Sequence, residues 1–221
     1  MEIYYITIAI MFLYWTFVEI VYRNKKKKNM LLCGVFFILI FLILALRHPS
    51  MGIDLGYGTS YGYLSSFSYL SRLPIKELIM LNGYLNYEMG YILLNRLIGV
   101  VSNDQQFFLA CCAFISLLPV SYVIWKKSDN ICLSYFIYLG LPVFLLLFSG
   151  IRQSIAIGLC FYSIIYIQEK KLFKFVAIII IATLFHSSAI IFLISYPLYY
   201  LKVSLKKKIS FNNSYTNCLC F

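Results

Sequence analysis

The sequence predicts an all-α integral membrane protein, a helix bundle that crosses the bilayer several times. Of the 221 residues, 62% are hydrophobic and 12% are charged, and this charged share is about half the roughly 25% typical of soluble domains. Apolar runs of about 20 residues, the length of one crossing, recur along the chain. The 19 Lys and Arg residues, against 8 Asp and Glu, gather between these runs. A cytosolic globular enzyme is therefore excluded.

The first two apolar runs predict two crossings. They extend over Ile3–Tyr22 and Met30–Leu46, and the tetralysine segment Lys25–Lys28 lies between them. No basic residue precedes the first run and no small-residue cleavage site follows it, so it differs from a signal peptide and is expected to stay in the membrane. Because Lys and Arg favour the cytoplasmic side, Lys25–Lys28 predicts that the N-terminus lies outside.

A polar segment rich in glycine and tyrosine, residues 47–105, is expected to lie outside the membrane. Within it, Leu78–Val101 looks helical but carries Glu88, Asn95 and Arg96 among apolar residues. Glu88 and Asn95 would lie two helical turns apart and share one face. A crossing here would reverse the side of every later loop, so we predict an external or re-entrant helix against the bundle.

Three further runs predict three more crossings, at Phe107–Trp125, Ile131–Phe148 and Ile151–Ile167. Lysines follow the first and the third of these runs, at Lys126, Lys127, Lys170, Lys171 and Lys174. The positive-inside tendency therefore predicts that the chain returns to the cytoplasm after each of the two.

The last apolar stretch, Phe175–Leu201, predicts a helical hairpin. As one helix it would be roughly 40 Å long, too long for an untilted crossing, and it would leave Lys202 and Lys206–Lys208 outside. We expect two short legs that turn near His186–Ser188. The prediction is then about seven crossings within a single transmembrane domain, residues 1–208, followed by an unstructured tail, residues 209–221.

Several kinds of site are not indicated by the sequence. The seven cysteines fall in the spans or the inner tail, so no disulfide framework is implied, and no residue spacing suggests a metal site. There is no glycine-rich phosphate loop and no G-x-S-x-G turn. The lysine runs are interpreted as determinants of topology and contacts to anionic lipids, and no nucleic-acid partner is expected.

Ionisable residues at membrane depth are the best candidates for a site, because an unpaired charge there is costly. Arg152, followed by Gln153, begins the span Ile151–Ile167, and the positive end of a helix dipole disfavours a cation. Arg152 is either an arginine that snorkels to the outer interface or a cation aimed at an anionic ligand near the helix N-terminus. His186, at the predicted turn, is either a hydrogen-bonded packing residue or a catalyst.

The predicted topology brings these two residues to the outer side, which also carries Arg47, Asp54 and Glu88. The segment from Arg47 to Tyr61 is rich in glycine, which permits tight turns, and in tyrosine, which offers a sugar ring a stacking surface with a polar group. The alternative is a flexible linker with interfacial aromatic residues.

Four segments form a pattern in order and spacing: Arg47–Tyr61 with its Gly52-Ile53-Asp54 motif, residues 87–95, residues 149–156 with Arg-Gln-x-x-Ala, and residues 182–189 with Phe-His-x-Ser-Ala. This pattern resembles the EpsG family of multi-span proteins from bacterial exopolysaccharide and capsule clusters, which are similar to Wzy-type polymerases. The resemblance covers about Arg47 to Tyr200. The region after Asp54 is richer in glycine than the family pattern, and the chain ends at Phe221, where such proteins usually continue. One interpretation of this ending is a C-terminally truncated reading frame.

The resemblance implies a polymerase on the outer face of the bacterial plasma membrane that joins oligosaccharide repeat units for exopolysaccharide, capsule or O-antigen. Its donor would be a glycan on polyprenyl pyrophosphate, with no cofactor, and its partners would be the bilayer, this lipid-linked oligosaccharide and other polysaccharide-assembly proteins. Arg152 and then Arg47 would bind pyrophosphate; His186, or failing that Glu88 or Asp54, would be the base for the acceptor hydroxyl. Gln153 would orient the sugar or the phosphate, and Tyr61 and Asn95 would also bind the substrate.

Three other functions stay open. Outward-facing cations in a bundle could bind a passing anionic lipid, as in a transporter or flippase subunit for a lipid-linked glycan. His186 could serve a membrane acyltransferase that acts on an external hydroxyl. A purely structural partner protein is the remaining alternative.

Overall fold

The structure, a computed structural model, describes residues 2–81 and 87–201, and every regular element in these ranges is helical. The α-helices, in chain order, are α1 (Glu2–Val21), α2 (Lys25–Ala45), α3 (Tyr63–Leu70), α4 (Ile75–Leu81), α5 (Met89–Val101), α6 (Gln105–Lys127), α7 (Ile131–Gly140), α8 (Pro142–Leu145), α9 (Ile151–Gln168), α10 (Leu172–Thr183) and α11 (Ser195–Tyr200). Two 3₁₀ helices, Ile53–Leu55 and Ser187–Ile194, complete the set. The predicted tail, residues 209–221, lies outside the described residues.

Four of the described helices, α1, α2, α6 and α9, are long and apolar enough to cross a membrane. They contain 20, 21, 23 and 18 residues, close to the length of about 20 residues that one crossing requires. The chain is therefore an all-helical membrane protein, as the sequence predicted. About seven crossings and an external N-terminus stay predictions.

Helix α6 is central to the bundle and packs against both α2 and α9. A Cβ atom at Gly158 of α9 would lie 2.7 Å from the carbonyl oxygen of Ser116 on α6, so the absence of a side chain lets the two backbones approach. The hydroxyls of Ser116 and Ser154 are 3.1 Å apart in the same contact. Small residues commonly allow such close helix packing in membranes.

The tetralysine segment is part of α2, whereas the sequence placed it before the second helix. Asn24 caps this helix, because its side-chain oxygen accepts a hydrogen bond from the backbone N–H of Lys27 at 3.1 Å. The lysines thus form the first turn of α2, ahead of the apolar run Met30–Leu46. Only residues 22–24 connect α1 to α2.

The predicted crossing Ile131–Phe148 is not one continuous helix. Helix α7 ends at Gly140, and Leu141 is extended, with φ −81° and ψ 143°. Pro142 then begins α8 and explains the break, because a proline disfavours helical conformation in the residue before it. The 10 residues of α7 span about 15 Å, half of a hydrocarbon core of about 30 Å.

The stretch after α10 turns back, near the predicted position. His186 is extended, with φ −153° and ψ 116°, and the 3₁₀ helix Ser187–Ile194 returns along α10. Near the end of this return, the ring of Tyr196 lies 5.4 Å from that of Phe175, close to the start of α10. The Tyr200 hydroxyl donates a hydrogen bond to the carbonyl of Ile167 at the end of α9. Most of the returning leg is 3₁₀ rather than α-helical.

Most of the lysines in the described residues collect at one end of the bundle, because α6 and α9 run parallel and α2 runs antiparallel to them. Gln106, near the start of α6, donates a hydrogen bond to the Arg47 carbonyl just after α2, and Lys126 at the end of α6 lies 3.7 Å from Glu169 at the end of α9. We call the end of the bundle that contains Lys126 and Glu169 the basic end. Its residues include Lys25–Lys28, Lys126, Lys127, Lys170, Lys171 and Lys174. The opposite end, with Arg47 and Arg152, is the arginine end. This separation agrees with the predicted sidedness, and the side of the membrane that each end faces stays a prediction.

Candidate functional site

Arg152, in the first turn of α9, is held between two tyrosine rings. Its Cζ atom lies 4.9 Å from the ring centroid of Tyr87 and 5.8 Å from that of Tyr63. Its Nε group also donates a hydrogen bond to the Tyr63 hydroxyl at 3.3 Å. Cation–π contacts of this kind stabilise a guanidinium group that is partly removed from water.

The carboxylate of Glu88 connects Arg152 with the turn after α10. Nη1 of Arg152 lies 2.5 Å from Oε2 of Glu88. The other oxygen, Oε1, accepts a hydrogen bond from the backbone N–H of Ser187 at 3.1 Å and lies 3.5 Å from Nδ1 of His186. Glu88 itself is extended and precedes α5, so it does not share a helix face with Asn95, contrary to the prediction.

A close backbone contact explains why Glu88 reaches this turn. The N–H of Gly90 donates a hydrogen bond to the carbonyl of Leu184 at 2.8 Å. A Cβ atom at Gly90 would lie 2.6 Å from the same carbonyl oxygen, so a side chain there would force the two segments apart. The glycine thus brings the start of α5 against the end of α10, with Glu88 on one side of the contact and His186 on the other.

Glu88 is ionised at neutral pH. Burial alone would raise its pKa, but hydrogen bonds from its own backbone N–H, from Ser187 and from Arg152 outweigh this effect and hold the pKa below its usual value. Because the pKa is lowered in the folded protein, the stabilising contact is present above the ordinary carboxylate pKa. It is lost as the pH falls through the lowered value.

A cavity of about 540 Å³ opens beside Arg152. Its lining joins the glycine-rich segment to the helices, and consists of Ile53, Asp54, Gly56, Thr59, Tyr61, Gly62, Tyr63, Tyr87 and Arg152. The cavity therefore has a cation and an exposed carboxylate, together with aromatic faces.

The glycine-rich segment forms a closed loop at the mouth of this cavity. Gly56 and Gly62 have φ values of +67° and +107°, and a Cβ atom on Gly56 would lie 1.7 Å from the carbonyl oxygen of Tyr61. The Thr59 hydroxyl lies 2.9 Å from the Gly56 carbonyl oxygen and 2.7 Å from that of Tyr61. Glycine is required where the loop closes on itself, which gives Tyr61 a defined place on the rim.

Five of the eight residues selected from the sequence come together. Glu88 contacts both Arg152 and His186, and Arg152 shares the cavity with Asp54 and Tyr61. Of these five, Arg152, Asp54 and Tyr61 line the cavity. Glu88 lies next to it through its contact with Arg152, and His186 through its contact with Glu88. Of the two arginines suggested for pyrophosphate, Arg152 lines the cavity and Arg47 does not.

The other three residues, Arg47, Gln153 and Asn95, neither line the cavity nor belong to this group of contacts. Arg47 is 5% exposed and its Nη1 donates a hydrogen bond to the Leu147 carbonyl at 2.5 Å. Asn95 is fully buried and its Nδ2 donates to the Tyr91 carbonyl at 2.7 Å. Both polar side chains are satisfied, at least in part, by backbone groups of the protein interior.

Sequence reasoning missed Tyr63 and Tyr87, the two rings around Arg152. Tyr87 directly precedes Glu88 in one of the segments used for the family resemblance, and this adjacency was the available signal. For Tyr63 we find no comparable signal, because tyrosine occurs 20 times in the chain. Among the described residues, no group of three or more His, Cys, Asp or Glu side chains could hold a metal ion.

Comparison with known proteins identifies a family. The sequence model of the EpsG family matches residues 30–219, which covers most of the chain and includes every residue of the candidate site. No curated protein and no solved structure shows significant similarity to the chain. The chain belongs to the EpsG family.

Proposed function

We propose that this protein is a polysaccharide polymerase that transfers a glycan from polyprenyl pyrophosphate to the hydroxyl group of an acceptor glycan. The observation that carries the proposal is the position of Arg152, at a helix N-terminus, beside a 540 Å³ cavity and within 2.5 Å of Glu88. Membership of the EpsG family supports the same reaction class. The repeat units would serve exopolysaccharide, capsule or O-antigen synthesis.

The reaction needs a group that stabilises the departing pyrophosphate. The acceptor oxygen forms a bond to the anomeric carbon, while the bond from this carbon to the phosphate oxygen breaks and its electron pair stays on the pyrophosphate. Arg152 suits this task because a guanidinium group makes paired hydrogen bonds to phosphate oxygens. The N–H groups of the first turn of α9 add partial positive charge at the same place.

Glu88 is better suited to position Arg152 and His186 than to accept a proton. A general base works best when its pKa is close to the working pH, and the pKa of Glu88 is lowered. His186 is the first candidate for the base that takes the proton of the acceptor hydroxyl. Its Nδ1 faces Glu88, which leaves Nε2 for the substrate. Asp54 is the second candidate because it lines the cavity.

The tyrosines of the cavity supply surfaces for sugar rings. Tyr61 is 82% exposed at the rim, and Tyr87 lines the cavity beside Arg152. Aromatic rings offer a sugar an apolar face together with a hydroxyl group for hydrogen bonding. The lysines of the basic end favour an orientation in which this cavity opens to the outside of the plasma membrane.

A transporter or flippase subunit for a lipid-linked glycan is the second candidate function. The break between α7 and α8 favours it, because discontinuous helices are common in transporters. The two functions differ in what a null mutant retains. Loss of a polymerase leaves single lipid-linked repeat units on the outer face, whereas loss of a flippase leaves them inside.

The proposal is tested by Arg152→Ala in cells that make the polymer, with Arg72→Ala as the matched control. Arg72 is an exposed arginine within the segment 47–105, and it does not line the cavity. Removal of one donor to developing charge costs about 2.7 to 4 kcal/mol, a 10²- to 10³-fold loss of rate. We expect Arg152→Ala to abolish long polymer and accumulate single lipid-linked repeats at a normal level of protein in the membrane. Normal polymer length in this variant would remove the basis of the proposal.

A further inference from the structure

A second cavity, of about 640 Å³, lies at the basic end, far from the Arg152 cavity. It is formed between the start of α2 and the end of α6, and its lining residues are Lys25, Lys26, Asn29, Tyr122, Trp125 and Lys126. Both helices are candidate membrane spans, so the cavity lies where a span ends, at the level expected for lipid headgroups.

The four lysines of the tetralysine segment have different surroundings. Lys28 forms an ion pair with Glu19, with Nζ 2.6 Å from Oε2, and Lys27 has its Nζ 5.3 Å from the ring centroid of Tyr22. Lys25 and Lys26, in contrast, line the cavity. Two of these ammonium groups therefore have partners within the protein, and the other two lysines line the cavity.

The cavity combines positive charge with interfacial aromatic residues. Nζ of Lys126 lies 5.6 Å from the ring centroid of Tyr122, and Trp125 is 48% exposed beside it. Tryptophan and tyrosine concentrate at the level of the headgroups in membrane proteins. Lysines there attract anionic lipids.

An exposed apolar strip on α6 continues from the cavity towards the middle of the bundle. Leu118 is 46% exposed and Phe114 is 44% exposed. The ring of Phe114 contacts those of Phe37 and Phe41 on α2, with centroid distances of 5.9 and 6.1 Å. Acyl chains could therefore lie along the same pair of helices whose ends form the cavity.

We propose that the cavity at the basic end binds the phosphate headgroup of an anionic phospholipid, with Lys25 and Lys26 as its main contacts. A phosphate group could also come from a soluble compound, but the apolar strip at Leu118 and Phe114 and the exposed Trp125 favour a lipid. The proposal is independent of the polymerase reaction, since the two cavities share no residue.

The test is native mass spectrometry of the purified full-length chain with palmitoyl-oleoyl phosphatidylglycerol, and with phosphatidylcholine of the same acyl chains. We expect tighter binding of phosphatidylglycerol. The double variant Lys25→Ala/Lys26→Ala is expected to weaken this binding about 20- to 30-fold, because each lysine near the surface contributes about 1 kcal/mol. The matched control Lys27→Ala/Lys28→Ala removes the same charge from lysines that already have partners in Tyr22 and Glu19, so it is expected to weaken binding clearly less.

A variant of unchanged charge separates this site from a general electrostatic effect. Asn29→Leu replaces a polar side chain of the cavity with an apolar one. It is expected to weaken phosphatidylglycerol binding while the helical circular-dichroism signal is retained. Equal losses in the two double variants, or equal binding of the two lipids, would overturn the proposal. Full displacement of phosphatidylglycerol by millimolar inorganic phosphate would point to a soluble ligand and overturn it as well.

Discussion

At the scale of single residues, Glu88 is the group on which the candidate site depends. Its two oxygens serve different partners, Oε2 for Arg152 and Oε1 for Ser187 and the neighbourhood of His186. Glu88 thus ties the guanidinium of Arg152 to the backbone of the turn that carries His186. Misplacement of catalytic groups by about 1 Å can reduce a rate about 10²-fold.

The first prediction is that Glu88→Gln reduces polymer synthesis about 10²-fold, because the neutral amide keeps the shape of the side chain but loses the ion pair. The pH profile distinguishes a positioning role from a structural one. In the wild type, activity is expected to fall when acidification protonates Glu88, below the ordinary carboxylate pKa. Measurement of rate against pH in membranes should show no such step in the glutamine variant, and an unchanged step would contradict the assignment.

The second prediction concerns Arg47, which the sequence suggested as a ligand for pyrophosphate. Burial lowers the pKa of Arg47 to about 10, so it stays cationic at neutral pH while its side chain binds the Leu147 carbonyl. Loss of a hydrogen bond from a charged group costs about 1.5 to 3 kcal/mol, so Arg47→Ala is expected to lower the Tm of the purified protein. Arg72→Ala serves as the control, with a smaller change in Tm, because Arg72 is exposed. An unchanged Tm together with lost polymer would assign Arg47 to the chemistry instead.

Polarity at membrane depth identified Arg152 and His186 from the sequence, because such residues are costly unless they have partners. Arg47 and Asn95 were suggested by their place in the external segment and by the family resemblance, and their partners include backbone carbonyls that no sequence pattern reveals. The rings around Arg152 escaped prediction for a related reason. Tyr63 and Tyr87 contact Arg152 only in the folded protein, and the residues next to them in the sequence give little indication of this contact.

At the scale of helices, the turn after α10 was predicted and the break before α8 was not. The turn followed from length and charge, because the stretch 175–201 is too long for one crossing and would expose lysines on the wrong side. The residues of the break, Gly140 to Pro142, were present in the sequence, but their apolar surroundings suggested one uninterrupted run. The apolar composition therefore predicted one continuous helix where the structure has two, α7 and α8.

The third prediction is that Gly90→Ala separates α5 from the end of α10. The added Cβ would lie 2.6 Å from the Leu184 carbonyl oxygen, and overpacking of this kind typically costs about 1 to 3 kcal/mol. Polymer synthesis should fall because Glu88 moves away from His186. Gly34→Ala in α2 is the matched control, since its Cβ would have no neighbour within 4 Å. Normal polymer from Gly90→Ala would show that the close contact is dispensable.

At the scale of the whole molecule, the two ends of the bundle differ in charge and in chemistry. The basic end carries the lysines that predict the cytoplasmic side, and the arginine end carries the Arg152 cavity. The sequence predicted this separation from the order of apolar runs and basic segments. The contact between Arg152, Glu88 and His186 required the tertiary structure, since these residues are distant in the chain.

The orientation of the bundle is tested most directly by cysteine accessibility in intact cells. In a chain whose native cysteines are replaced by alanine, Ser187→Cys reports on the arginine end and Asp129→Cys on the basic end, and both positions are exposed. We predict that a membrane-impermeant maleimide labels position 187 in intact cells and position 129 only after permeabilisation. Labelling of position 129 in intact cells, with position 187 protected, would contradict a site on the outer face of the membrane.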